Sequence, residues 1–262
     1  MMKKILTALA LTLATQASVA GGIPDPLRIA TEGAYPPFNG VDANGNLIGF
    51  DVDIAMALCE EMKANCELVA QDWDGIIPAL VANKYDAIIA SMSITDERKQ
   101  TIDFTNKYYS NYLAVIGPKG AVAGPDKLAG KSVGAQRSTL ASQWAEDNLM
   151  GRSDVKLYDT QTAAYADLSA GRLDAMVSDI YPAMDWLKDN SGYALAGDKI
   201  DINDQIGLVS VKANQISKQR STKRSKQSEP TENMLRSTQN ISLLIFIKLR
   251  RGPLSPLIPW NH

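Results

Sequence analysis

Two hydrophobic periods alternate along most of the chain. Phe50 to Lys63 places Ile54, Leu58 and Met62 four residues apart, which keeps one face of a helix apolar. The short apolar runs Arg28 to Ala30, Cys66 to Ala70 and Asp86 to Ala90 have strand length, and a second helix is expected from Asp72 or Trp73 through Ala82. Asp42-Ala43-Asn44-Gly45-Asn46 is a turn signal at a hairpin tip. Thr95 stands as an N-cap before Asp96 and Glu97, acids that the helix dipole favours in a first turn. The order then repeats. Strands are expected at Ser132 to Ala135, Val155 to Tyr158 and Leu173 to Val177. Helices follow from Ser138 or Thr139 to Leu149, from a Thr160 cap through Ala170, and from Tyr181 to Lys188. Alternating strands and helices imply an α/β fold with parallel sheets and crossover helices.

An internal echo divides this pattern. Lys84-Tyr-Asp-Ala-Ile-Ile-Ala-Ser91 resembles Arg172-Leu-Asp-Ala-Met-Val-Ser-Asp179, each leaving a helix and running through a buried strand to a polar residue. Two similar lobes follow, with Ser91 and Asp179 at the carboxyl ends of strands, where ligands of α/β sheets sit. A site between the lobes is expected.

Charge changes the picture at Gly207. From Gly21 to Gly207 there are 15 Lys and Arg against 27 Asp and Glu, a net charge of −12; from Leu208 to His262 there are 10 against 2, a net of +8. The formal −2 of the whole chain hides this split. At the other end, Lys3 and Lys4 precede an apolar stretch, Ile5 to Leu13, and Ser18-Val19-Ala20 follows. The run is too short to span a bilayer, so residues 1–20 read as a signal peptide cleaved after Ala20. Export would carry Cys59 and Cys66 into an oxidising compartment, where a disulfide is favoured over two buried thiols. The one histidine, His262, ends the chain, so neither a histidine-based metal site nor histidine catalysis is expected, and no cofactor is implied.

Ser91-Met-Ser93-Ile-Thr95-Asp-Glu-Arg98 sets three hydroxyls, a helix start and an arginine within eight residues. Free N–H groups at a helix start attract anions, and guanidinium grips a carboxylate through two bonds, so the segment suits a carboxylate. It reads equally well as an ordinary capped helix with a solvated Arg98. Asp179 would take a cation or simply cap a helix. Tyr35 and Trp73 follow strand ends and either fill the core or flank a ligand. Glu32 by itself reads as a loop acid.

Taken in order, Ile29-Ala-Thr-Glu-Gly-Ala-Tyr35-Pro-Pro-Phe38, Gly49-Phe-Asp-Val-Asp53, Trp73-Asp-Gly-Ile-Ile-Pro78 and Ser91 to Arg98 resemble the periplasmic polar amino-acid-binding proteins of ABC importers, solute-binding protein family 3. The nearest branch binds lysine, arginine, ornithine, histidine and opines, and carries a disulfide at this place. The resemblance spans the signal peptide and residues 21–207. It implies a two-lobed periplasmic-binding-protein fold of type II, with lobe 1 at residues 21–113, lobe 2 at 114–206 and the ligand in the cleft. It places ligand contacts at Glu32, Tyr35, Trp73, Ser91, Met92, Ser93, Arg98, Arg137, Ser138, Thr139 and Asp179. Arg98 and backbone N–H groups of Ser93 and Thr139 would hold an α-carboxylate. The Ser91 carbonyl, the Ser93 hydroxyl and Asp179 would hold an α-ammonium. Tyr35 and Trp73 would flank the side chain, and Glu32 would meet a distal cation. An unpaired acid in a dry cleft is costly and selects for a charged partner. The chain departs from the family at Ala90, where serine is frequent, and at Arg137, where glycine is usual. Arg137 would clash with a ligand or favour one with a second carboxylate, such as an opine.

The resemblance implies a monomeric binding module that is not an enzyme. Its partners would be an amino acid or opine and an inner-membrane permease, with no nucleic acid. A dehydratase on the same fold is the enzymatic alternative. After Gly207 the family's return strand, two helices and Lys-Tyr/Trp-Phe ending are not legible, so 207–262 reads as an aberrant basic tail. It is a natural disordered extension or a shifted reading frame. New codons built from the third base of one codon and the first two of the next can spell Lys-Gly-Glu, an amphipathic helix, Asn-Gly-Glu-Tyr and Lys-Tyr-Phe across residues 208–247. On that reading, lobe 1 lacks its last strand and helices, and the chain folds poorly or binds weakly.

Overall fold

The structure is a computed structural model and describes residues 23–212. The expected signal peptide and most of the expected tail lie outside the described residues. Two sheets organise the chain. The first collects β1 (Leu27–Thr31), β4 (Cys66–Ala70), β5 (Ala87–Ile88), β6 (Ile102–Phe104) and β13 (Val209–Val211) in the order β4-β1-β5-β13-β6. A hairpin, β2 (Gly40–Val41) and β3 (Leu47–Ile48), stands beside it at the turn expected from Asp42 to Asn46. The second sheet holds β7 (Tyr109–Pro118), β8 (Ser132–Gln136), β9 (Asp154–Tyr158), β10 (Ala175–Asp179), β11 (Tyr193–Leu195) and β12 (Ile200–Ile206). Its order is β11-β7-β10-β8-β9, with β12 also paired to β7.

Six α-helices accompany the sheets among the described residues, the first carrying the four-residue apolar spacing of Ile54, Leu58 and Met62. They are α1 (Phe50–Met62), α2 (Trp73–Val81), α3 (Asp96–Lys99), α4 (Leu140–Leu149), α5 (Gln161–Ser169) and α6 (Ile180–Asp189). Thr95, Thr139 and Thr160 each accept a backbone N–H with the side chain, so the expected caps of α3, α4 and α5 are present. Gly49 lets the hairpin enter α1. Its φ is +118°, and a Cβ there would stand 2.5 Å from the Phe38 carbonyl oxygen, which only glycine avoids. Lys63 ends α1 in a left-handed cap at φ 53°. Cys59 and Cys66 form a disulfide that pins the end of α1 to β4.

Each sheet is clad on both faces. In the first, Leu27, Ile29, Ala87 and Ile89 pack with α1 through Ala55, Leu58 and Cys59. Ala30, Ile88 and Val209 pack on the other face with α2 through Ile76 and Leu80. In the second, Val133, Ala135 and Val177 face Ala141, Ala145 and Leu149 of α4. Met176 and Ile116 face α5 and α6 on the opposite side, through Ala164, Leu168 and Ala183.

Two segments cross between the sheets, residues 105–108 and 207–208. They run side by side: Thr105 N donates to Leu208 O at 3.0 Å, and Tyr108 N donates to Ile206 O at 2.9 Å. The expected boundary between residues 113 and 114 therefore falls inside β7, whose pairing with β10, β11 and β12 places it in the second sheet from Tyr109 on. The expected break at Gly207 also moves. Val209–Val211 form a strand hydrogen-bonded on one side to β5 and on the other to β6, so the first lobe has a return strand. The physical reason is pattern: Leu208, Val209 and Val211 are buried, as a strand covered on both faces requires.

Candidate functional site

Strand ends from both sheets converge on a cleft with roughly 400 Å³ of free space, part of it open to solvent. Glu32 and Tyr35 follow β1, Trp73 opens α2, and Ser91 and Ser93 follow β5. Across the cleft stand Gln136, the last residue of β8, Thr139 at the cap of α4, Gln161 at the start of α5, and Asp179, the last residue of β10. Ser91 holds a left-handed φ of 49°, which aims it out of the strand direction.

One end is built for an anion. Thr95 caps α3 and thereby presents Arg98, whose Nη1 donates to Ser93 O at 2.9 Å and Nη2 to Ser138 O at 2.9 Å. The guanidinium lies 5.4 Å above the Trp73 ring. Burial lowers the pKa of Arg98, and Asp204, Glu97 and Asp179 counter that effect. Thr139 and Ser142 form a capping box, in which the Thr139 N–H donates to Ser142 Oγ at 3.2 Å. The N–H expected to meet a ligand carboxylate is thus held by its own helix in this state.

Two carboxylates, one from each lobe, suit cations. Glu32 is buried, and Gln136 Nε2 donates to its Oε1 at 2.7 Å. Burial pushes the Glu32 carboxyl up to about 7; the Gln136 bond pulls it down, and Asp72 and Asp74 push it further up. Asp179 accepts the Tyr35 hydroxyl from the other lobe, and burial raises its pKa to about 6. Two acids with raised pKa values facing one cleft favour a cation that would ionise both.

Three expected contacts are placed elsewhere. The Met92 side chain is wholly buried in the core against α2, packed with Ile76 and Leu80. Arg137 turns away from the lining and forms ion pairs with Asp159 at 3.0 Å and Asp74 at 3.8 Å, so it neither clashes with the cleft nor offers it a second cation. Ser138, at φ 59°, joins the lobes: its hydroxyl donates to Asp74 at 3.0 Å, and its carbonyl accepts Trp73 Nε1 at 3.1 Å. Gln136 and Gln161 line the cleft without being anticipated. The strand-end rule that singles out Ser91 and Asp179 applies to Gln136 once β8 is extended by one residue. Ala90 also lines the cleft, so the missing serine leaves space there.

A cleft between two α/β lobes, lined by an arginine and by a carboxylate from each lobe, defines a binding module for a small charged molecule. The comparisons narrow this class. Residues 27–185 match the family described as bacterial extracellular solute-binding proteins, family 3. The L-arginine-binding protein of Pseudomonas aeruginosa is 44% identical over 205 residues, covering 76% of this chain and 79% of that one. The lysine/arginine/ornithine-binding periplasmic protein of Escherichia coli K12 is 40% identical over 207 residues, covering 76% and 80%. Among solved structures, an ancestral arginine-binding protein bound to arginine superposes with a TM-score of 0.70 at 30% identity, over 84% of this chain and 99% of that one. The chain belongs to the bacterial extracellular solute-binding proteins, family 3. These relatives are binding proteins rather than enzymes.

Proposed function

We propose that this chain binds a cationic amino acid, arginine foremost, in the periplasm and delivers it to an inner-membrane ABC permease. The observation that carries the reading is the placement of buried Glu32 and half-buried Asp179 in one cleft with Arg98. A zwitterion would set its carboxylate on Arg98 and Ser93 and its ammonium on Asp179 and Ser91. Its side chain would pass between Tyr35 and Trp73, and a distal guanidinium or ammonium would reach Glu32. Each of these groups already has a partner within the protein: Tyr35 on Asp179, Gln136 on Glu32, Ser138 on Arg98. Ligand contacts would replace these bonds one for one, which limits the desolvation lost on binding.

Calorimetry of the full chain against arginine, lysine, ornithine, histidine and octopine tests this. Saturable binding of at least one, with arginine tightest, is expected. Tighter binding of glutamate, or no binding of any of the five, would overturn it.

We also propose that the residues after Gly207 are read in a shifted frame. The charge reversal and the loss of the family's ending support that reading. The gene's codons test it: a stretch unable to spell the family's Lys-Gly-Glu and Lys-Tyr-Phe in the neighbouring frame would refute it.

A further inference from the structure

The motif Gly49-Phe-Asp-Val-Asp53 contributes nothing to the cleft lining, yet its central acid is among the most buried groups in the first lobe. Asp51 sits in the first turn of α1 with no solvent exposure. Its carboxylate takes three side-chain hydrogen bonds. Asn39 Nδ2 and Ser91 Oγ donate to Oδ2, each at 2.9 Å, and the Tyr108 hydroxyl donates to Oδ1 at 2.7 Å.

The three donors belong to parts of the chain with different tasks. Asn39 closes the loop that carries Glu32 and Tyr35. Its Oδ1 accepts Gly33 N at 2.8 Å, and its backbone pairs with that of Tyr35 in both directions. Ser91 lines the cleft in a left-handed conformation that the strand alone would not impose. Tyr108 belongs to the first crossover segment, and its N–H is bonded to Ile206 beside the second. One buried carboxylate thus joins the loop carrying Glu32 and Tyr35, the residue at the ammonium position and the crossover between lobes. A buried carboxylate is costly unless donors surround it, so removing it leaves three oriented donors without an acceptor.

We propose that Asp51 is a positioning residue for the ligand site, fixing Ser91 and the Glu32–Tyr35 loop and tying both to the crossover at Tyr108. This rests on the reading of the cleft as an amino-acid site. The alternative is an acid that supports the fold alone, which would alter stability and leave the folded protein's affinity unchanged.

Arginine affinity and the unfolding midpoint are to be measured on the full chain for wild type, Asp51→Asn, Tyr108→Phe and Ser91→Ala, and for the double variant Asp51→Asn/Ser91→Ala. Asp51→Asn keeps shape and removes the charge; Tyr108→Phe keeps the carboxylate and removes one donor. The expected result is a dissociation constant raised roughly tenfold or more by Asp51→Asn. A smaller rise in the same direction is expected for Tyr108→Phe, and the Asp51 and Ser91 effects should be non-additive. If Asp51→Asn does not fold, Tyr108→Phe decides alone. Wild type that binds arginine while the folded variants bind within twofold of it, with only the midpoint lowered, would overturn this inference and leave the functional reading standing. Wild type that binds none of the amino acids would overturn the functional reading, and this inference with it.

Discussion

Replacing Glu32 by glutamine separates what the acid does for binding from what it costs the fold. Burial pushes its carboxyl up from 4.5 to about 7, because a charge is disfavoured there. The folded state then holds the proton more tightly than the unfolded chain. This group's contribution is therefore most favourable below about 4.5 and declines as pH rises toward 7. Above 7 the ionised acid destabilises the folded form by about 3 kcal/mol, taking 1.36 kcal/mol per pKa unit. Glutamine removes that cost and retains an oxygen for Gln136. Glu32→Gln should thus unfold at higher denaturant than wild type at pH 8 and match it near pH 4.5. Opening the cleft rehydrates Glu32, so 3 kcal/mol is the ceiling of the gain. A cationic ligand reverses the balance by favouring the ionised acid, so wild type should release a proton on binding arginine between pH 5 and 7. Arginine affinity should rise across that window. Asp179, raised to about 6, adds to the same trend. Chemical unfolding at both pH values, with calorimetry in buffers of different ionisation enthalpy, provides the measurements. A variant no more stable than wild type at pH 8, or arginine binding without proton release at pH 6, would refute the argument.

Arg98→Ala should weaken arginine binding by about 30-fold or more, since truncating one side of a buried charged contact costs roughly 2–5 kcal/mol. Arg98→Lys should recover only part of this, because an ammonium cannot span Ser93 and Ser138 as the fork does. Asp74→Ala should change affinity less than about fivefold and speed ligand release, because its contacts to Arg137 and Ser138 are exposed; stopped-flow release at low and high salt reads the effect, which salt should erase. Replacing Cys59 and Cys66 together by serine should lower stability by about 2 kcal/mol, the chain-entropy value for a separation of 7, measured by denaturant unfolding with arginine affinity retained.

What the chain discloses in advance depends on whether the responsible physics is local. The caps at Thr95, Thr139 and Thr160 are local chemistry, and each helix start follows from them. The place of Ser91 and Asp179 beside the cleft is legible because both stand at the carboxyl ends of strands in α/β sheets. β7 is not, because Leu113 to Gly117 are buried without alternation, and an interior strand has no period to read. The strand Ala175–Asp179 is displaced by two residues from its expectation, since Leu173 belongs to the core although it precedes the ladder. Arg137 illustrates the non-local case. Its departure from glycine is visible in the chain, but its direction is set by Asp74, more than sixty residues earlier, and Asp159 just past the end of β9. Sequence spacing contains no term for such a pairing. Asp51 is similar, because its motif is conspicuous while its three donors come from separate segments.

The return strand shows how little a central strand asks of its sequence. β13 lies between β5 and β6, so its backbone groups are bonded on both sides whatever its side chains are. Leu208 packs with Ala55 and Leu58 on one face, while Val209 and Val211 pack with Ile76 and Leu80 on the other. At about 1.5–3 kcal/mol for each buried side chain, these three residues contribute several kcal/mol before ordering entropy is counted. A run of Leu-Val-Ser-Val meets that demand through size and β-branching alone, with no need of the family's own residues. An altered reading frame that happened to begin this way would therefore leave the crossover standing. Gly207 N donates to Met92 O at 3.1 Å and Ile94 N to Gln205 O at 2.7 Å, holding the Ser91–Arg98 segment against the end of β12 and the second crossover. The cleft's geometry depends on residues up to Val211, and the basic character of the tail begins only after them.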